Sequence, residues 1–316
     1  MKTRALIAAA CLALAAGPLA AQNSNPLGAL GSILGNLQQQ AGKPAPANNP
    51  LGALLSGGQA TPAAPAANDL IALLSQEGAI DEAKEIEIGR QLAAVLLGSK
   101  PMHPDMALQR YVNQLGRWIG LQSSRPQLPW TFTVLDDPGF NAFAAPGGFV
   151  FVTKGLVDRV DEGELAGILA HEASHVTERH HLNALRQKAR AGAFTQLIGS
   201  QIRTGNAVGS LVSQQVLNLV RNLYSSGLDQ EDEFDADRQG VVLAARAGFD
   251  PYGLPGVLQQ LRTQVPDDPL FALSLSTHPP AQQRLDALAQ AMGNRLDPLA
   301  GKPVVRIDQR LSQPRR

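Results

Sequence analysis

The stretch that decides the reading is Asp161-Glu162-Gly163-Glu164-Leu165-Ala166-Gly167-Ile168-Leu169-Ala170-His171-Glu172-Ala173-Ser174-His175. Asp161 can cap a helix, and Glu164 three residues on completes a capping-box pattern. Leu165, Ile168 and Leu169 form an apolar stripe that runs into the histidines. At helical spacing His171 and His175 lie about 40° apart and one turn along, so both imidazoles can reach one metal ion. Glu172 falls about 100° from His171 and about 60° from His175, too displaced for a natural ligand but well placed beside a water at the metal. Neutral imidazoles bind zinc and leave a position open. The metal lowers the pKa of a water there, and a carboxylate can take its proton and pass it to a leaving group. The pentapeptide alone is moderately specific, since polar helices produce it by chance. The apolar lead-in argues against an exposed polar face.

A third ligand is required, and two candidates compete. One zinc-protease pattern breaks the helix at a glycine three residues after the second histidine and places a third histidine three later. Here those positions are Glu178 and His181. Without the glycine the helix should continue through Leu182 to Arg190. His181 would then sit about 240° around and about 9 Å along from His175. His180 and His181 therefore read as a solvated basic face. The better candidate is Glu233, in Glu231-Asp232-Glu233-Phe234-Asp235-Ala236-Asp237-Arg238. Glu233 and Asp237 are stacked one turn apart, so one carboxylate can bind metal while the other accepts the outer N–H of a ligand histidine.

Further out, Leu108–Leu121 predicts an amphipathic helix with Leu108, Val112, Leu115 and Ile119 on one stripe. Ile80–Leu97 predicts another, with Ala83, Arg90 and Val95 tracking its face. Trp130–Val134 and Phe149–Thr153 predict strands, and Asp136–Gly139 a turn. Strands segregated between helices give an α+β class, mainly helical with a small sheet. Residues 192–228 are rich in Gly, Ser and Gln with intermittent apolar positions; they read as a helical lid over the cleft or as an ordinary core helix pair.

The N-terminus is of another kind. Lys2 and Arg4 precede an apolar run from Ala5 to Ala16, and small residues follow Gly17-Pro18, as in an export signal cleaved near Ala21. Residues 22–68 hold one charged residue, Lys43, and repeat Asn25-Pro26-Leu27-Gly28-Ala29-Leu30 as Asn49-Pro50-Leu51-Gly52-Ala53-Leu54. Such a segment cannot bury enough apolar surface to offset chain entropy. The expected organisation is therefore a signal over 1–21, a linker over 22–77, a catalytic domain over 78–295 and a tail over 296–316.

The 316 residues carry 27 basic and 27 acidic side chains, a balance that argues against a nucleic-acid partner. The single cysteine, Cys11, lies in the signal, so the exported chain would lack thiols, as suits an oxidising compartment. No run is long and apolar enough to span a bilayer, and an exported protein, soluble or peripheral to the envelope, is expected.

Four blocks in order resemble the M48 zinc endopeptidases, which include the Ste24-like and HtpX-like proteases. They are Asn141-Ala142-Phe143-Ala144-Ala145-Pro146-Gly147-Gly148, then His171–His175, then Glu233–Arg238, then Ser276-Thr277-His278-Pro279-Pro280 with Arg284. Within that family the pattern resembles the exported, BepA-like bacterial members. Those carry TPR repeats after the protease domain, whereas about two dozen residues follow the last helix here, so docking through repeats is not expected. The resemblance implies a zincin-like fold, one Zn2+ held by His171, His175 and Glu233, Glu172 as general base and Asp237 behind a ligand. It implies that Asn141, Ala142, Phe143, Gly147 and Gly148 line a cleft that pairs with extended protein or peptide substrates. It places His278 near the metal, as a fourth ligand that shuts the site or as a donor to the oxyanion; a turn histidine capping the next helix remains an alternative. His103 reads as a plain loop histidine. The expected activity is hydrolysis of misfolded or unassembled envelope proteins. The rival is a latent or chaperone-like zinc-binding protein silenced by His278.

Overall fold

The helix that carries both histidines is the axis on which the rest is packed. In the computed structural model the described residues are 73–74, 76–190, 227–264 and 271–312. The signal, almost all of the linker and residues 192–226 of the segment read as a lid or a core helix pair lie outside them.

Along the chain run α1 (Glu82–Ser99), α2 (Met106–Gly120), β1 (Thr131–Leu135), β2 (Ala142–Ala145), β3 (Phe149–Thr153), α3 (Lys154–Val157) and α4 (Glu162–Thr177). Then follow α5 (His180–Arg190), α6 (Gln230–Arg246), α7 (Gly253–Arg262), α8 (Ala272–Thr277), α9 (Ala281–Met292), a 3-10 turn at Asp297–Leu299 and α10 (Ile307–Ser312). This is a mainly helical fold with a small mixed sheet in strand order β1-β3-β2. β1 pairs with β3 in parallel, Thr131 opposite Phe149, and β2 pairs with β3 antiparallel, Ala142 opposite Val152.

β3 is buried along its whole length, and its pleat divides the core. Val150 and Val152 face a large cluster with Val112 and Ile119 of α2, Leu165 and Leu169 of α4, and residues of α6, α7 and α9. Phe149 and Phe151 face a second cluster with Ile88 and Leu92 of α1 and Leu182 and Leu185 of α5. The stripe expected for α2 is the one that is buried. The stripe expected for α1 is not: Ala83 and Arg90 are exposed, and the inner face carries Glu85, Ile88 and Leu92. A buried carboxylate in that face breaks the apolar periodicity.

Glu85 is fully buried and held on three sides. Arg125 grips both its oxygens at 2.8 and 2.9 Å, Arg179 Nε lies 2.9 Å from Oε2, and the Gly147 amide donates at 3.2 Å. Arg125 also donates to the Val176 carbonyl at 3.3 Å, in the last turn of α4. This network explains why α4 stops. Arg179 adopts φ 61°, the left-handed conformation that ends helices, at an intrinsic cost of about 1–2 kcal/mol for a residue with a side chain. Its ion pair with Glu85 offsets that cost. The expectation of one helix through Arg190 is thereby corrected: the break needs no glycine, because a long-range contact holds it.

Residues 301–312, expected as a tail, pack back against α4. The Glu162 amide donates to the Val305 carbonyl at 2.8 Å, Arg310 pairs with Glu162, and Ile307 joins the main core. No described helix is long and apolar enough to cross a membrane.

Candidate metal centre and relatives

α4 begins as its sequence demands. The Asp161 carboxylate accepts from the Glu164 amide at 2.8 Å, and Glu164 accepts from the Asp161 amide at 2.9 Å. Leu165 and Leu169 anchor the inner face, which leaves His171, Glu172 and His175 buried beneath α6. α6 approaches this closely because Gly240 faces the His171 backbone.

The His171 and His175 Nε2 atoms are 3.1 Å apart. The Glu233 carboxylate lies 3.6 Å from the first and 3.7 Å from the second. A tetrahedral zinc with these donors would separate its ligand atoms by about 3.3 Å. Glu233 Oε2 is buried and has no hydrogen-bond partner among the described residues. Two facing ring nitrogens need a proton or a cation between them, and an orphaned buried carboxylate oxygen needs a positive partner. The donor set therefore fits a divalent ion, and two imidazoles with a carboxylate suit zinc.

The outer nitrogen of His171 is held by Asp237 Oδ1 at 3.0 Å. Arg284 grips the same carboxylate, Nε to Oδ2 at 2.8 Å and a terminal nitrogen to Oδ1 at 2.5 Å. Burial opposes ionisation of Asp237, but the Arg284 charge and hydrogen bonds and the His171 hydrogen bond outweigh it and hold the carboxyl well below its usual range. An ionised Asp237 only accepts, so the His171 proton sits on Nδ1 and Nε2 presents its lone pair to the centre. Burial, with Glu233 nearby, pushes the Glu172 carboxyl up to about 8, and burial also raises Glu233. Both shifts mark a site short of positive charge, which a bound cation would supply. Burial lowers His171, and His175 more strongly, so both rings are neutral.

His278 is close. Its Nε2 lies 3.6 Å from Glu233 Oε2, and a ligand atom of its ring groups with His171 and Glu172. Its Nδ1 is 3.1 Å from the Ser274 carbonyl and 3.0 Å from Thr277 Oγ1. A carbonyl only accepts, so Nδ1 carries the proton and Nε2 offers a lone pair. Burial pushes the ring down to about 4, so it is neutral at pH 7. This tautomer suits a ligand and not an oxyanion donor.

A narrow cleft opens beside Glu172 and His278. Asn141 and Ala142 line it, with an apolar wall from Ile168 of α4 and Leu254, Val257, Leu258 and Leu261 of α7. Three residues expected in the cleft lie elsewhere. Phe143 stacks on Phe151 at 5.3 Å, on the second core cluster. Gly147 and Gly148 form the buried β2–β3 turn at φ 78° and 100°, and a Cβ on Gly147 would come 2.5 Å from the Ile86 Cα. Close packing against α1 explains Gly147, and the positive φ of the turn explains Gly148.

His180 and His181 are buried, which overturns their reading as a solvated face. The break after Thr177 folds α5 back, so the His181 ring lies 5.1 Å and the His180 ring 5.2 Å from that of His175. His103 lies in the loop before α2, where its Nδ1 accepts from the Asp105 amide at 3.3 Å. The sequence reading gave Arg284 no role, though a signal existed: Arg284, Leu288 and Met292 repeat every four residues, and all three are buried.

The match to known proteins covers this same region. The profile of peptidase family M48 matches residues 104–292. The chain is 31% identical over 224 residues to the beta-barrel assembly-enhancing protease of Escherichia coli, covering 68% of this chain and 45% of that protein. It is 30% identical over 182 residues to a Protease HtpX homolog of Salinibacter ruber, covering 48% of this chain and 64% of that protein. It is 29% identical over 180 residues to the mitochondrial metalloendopeptidase OMA1 of Schizosaccharomyces pombe, covering 55% of this chain and 50% of that protein. The chain thus spans about half the length of the first of these relatives. With a family profile covering more than half of its residues, the chain belongs to peptidase family M48.

Proposed function

We propose that the chain is an exported zinc-dependent endopeptidase that cleaves misfolded or unassembled envelope proteins. The observation that carries this is the convergence of the His171 and His175 Nε2 atoms on the Glu233 carboxylate, with Glu233 Oε2 unsatisfied. His171, His175 and Glu233 would hold one zinc ion. When bound, zinc supplies Lewis acidity to the scissile carbonyl and to a water. Glu172, on the floor of the cleft, takes the proton from the attacking water and delivers it to the leaving amine. Asp237, locked by Arg284, keeps the His171 ring in its binding tautomer. The substrate enters extended along Asn141 and Ala142 and sets an apolar side chain against α7. An envelope substrate is supported by the name of the E. coli relative and by the export signal read from residues 1–21.

The test is Glu172→Gln. It should retain one zinc per chain by metal analysis and lose at least about a thousandfold in cleavage of a denatured, dye-quenched protein. Normal cleavage by that variant sinks the mechanism.

The His278 tautomer favours a second reading of the resting state. Its Nε2, which carries the lone pair, lies 3.6 Å from Glu233 Oε2, so His278 would offer a fourth donor to a bound ion and would keep water from it at rest. His278→Ala should then raise cleavage several-fold. If neither protein cleaves while both hold zinc, the chaperone-like reading takes its place.

A further inference from the structure

His180, which no relative's name or motif block assigns, lies against the outer nitrogen of His175. The two Nδ1 atoms are 3.0 Å apart. We propose that His180 is a positioning residue that fixes the tautomer and ring orientation of His175 for metal binding, the counterpart at this ligand of Asp237 at His171. The inference rests on His171, His175 and Glu233 being the metal ligands.

The proton count supports it. A histidine that binds a cation through Nε2 carries its proton on Nδ1. The Nδ1–H of His175 then needs an acceptor, and the only ring atom of His180 within reach is its Nδ1. That atom accepts only when His180 carries its own proton on Nε2. His180 Nε2 faces the acidic start of α6, 3.7 Å from Asp232 Oδ1 and 3.9 Å from Asp235 Oδ2. Two carboxylates on that side favour a proton there, which leaves Nδ1 as the lone pair. One arrangement of three protons therefore satisfies His171, His175 and His180 together.

The fold places His180 for this task. It is the first residue of α5, buried, and turned back on α4 by the left-handed Arg179. A continuous helix would put it about 140° around from His175 and about 7.5 Å along, out of reach. The acids Asp232 and Asp235 come from the same helix as Glu233, so α6 supplies one ligand directly and orients another through His180.

The experiment compares His180→Leu, which keeps bulk but has no acceptor, with His180→Asn, whose carbonyl oxygen can occupy the place of Nδ1. Zinc affinity is read by competition with a chromophoric chelator. Ligand geometry is read from the visible absorption of the Co2+-substituted protein, and the fold from melting with excess chelator. His180→Leu should bind zinc about 10–100-fold more weakly and alter the cobalt spectrum, while metal-free melting stays close to wild type. His180→Asn should restore affinity and spectrum. Wild-type affinity in His180→Leu overturns the proposal. Equal weakening in both variants does too, since it assigns His180 to packing. A wild-type chain that binds no zinc refutes the ligand reading itself, a result distinct from either.

Discussion

A Cβ on Gly240 would lie 2.9 Å from both the Cα and the backbone nitrogen of His171. Neither is the tip of a flexible side chain, so a larger residue must push α6 away from α4. α6 carries Glu233 and Asp237, and α4 carries His171 and His175. The distance between these helices is therefore the distance between the two halves of the centre.

Gly240→Ala should cost about 1–3 kcal/mol in denaturant unfolding, the usual penalty of overpacking, and should weaken zinc in chelator competition. Gly256→Ala on α7 is the control. Its Cβ would meet Glu164 Oε1 at 3.4 Å, an ordinary contact, so helix propensity should leave stability unchanged or up to about 1 kcal/mol higher. Equal losses in both would remove helix spacing as the explanation.

Asp237→Asn leaves the buried Arg284 without its ionic partner. Loss of about 3–5 kcal/mol is expected in the metal-free protein, with a 10–100-fold loss of zinc affinity. The sign with pH follows from the depressed carboxyl of Asp237. Its charge stabilises the fold fully above the unfolded value of about 3.9, and that contribution is lost as the pH falls below it. The gap between wild type and Asp237→Asn in urea midpoints should be constant above about pH 5 and narrow in stronger acid. A gap that widens on acidification would contradict the buried ion pair.

The buried histidines predict earlier acid sensitivity. Burial pushes His181 down to about 3 and His278 down to about 4, below the unfolded value of about 6.5. Each binds a proton more readily when unfolded, so stability is complete above about pH 6.5 and falls as the pH drops towards those lower values. Metal-free protein should lose melting temperature steadily from pH 6.5 to 4.5, and His181→Asn should flatten that slope. A profile level down to pH 5 would rule it out.

The sequence made the pairs within each helix of the centre legible and obscured what supports them. His171 and His175 could be paired because helical spacing is a local rule. Glu233 and Asp237 could be paired with each other for the same reason. His180 could not be placed, because its position depends on the left-handed Arg179, which depends on Glu85 some ninety residues earlier. The α1 stripe went wrong at the same carboxylate: Glu85 occupies a position where periodicity asks for an apolar residue. Phe143, Gly147 and Gly148 sit beside cleft residues in sequence, yet the strand pleat carries Phe143 to the other core cluster, and the β2–β3 turn sets Gly147 against α1 and Gly148 against the segment before β1. Local geometry was readable; contacts that join distant segments were not.

The partition of the core by β3 also sets how the molecule breathes. Its residues alternate between the two apolar clusters, Phe149 and Phe151 in one and Val150 and Val152 in the other, so the strand as a whole is released to exchange with deuterium only when both clusters come apart. The layer formed by α1 and α5 packs mainly on the second cluster, with Ile86 also reaching the first. That layer can open as a separate unit, at less than the free energy of global unfolding, while α4 and α6 stay together. Opening would lift His180 from His175 and leave the remaining donors in place, so the slowest exchange should map to β3 and the first loss of protection to α5.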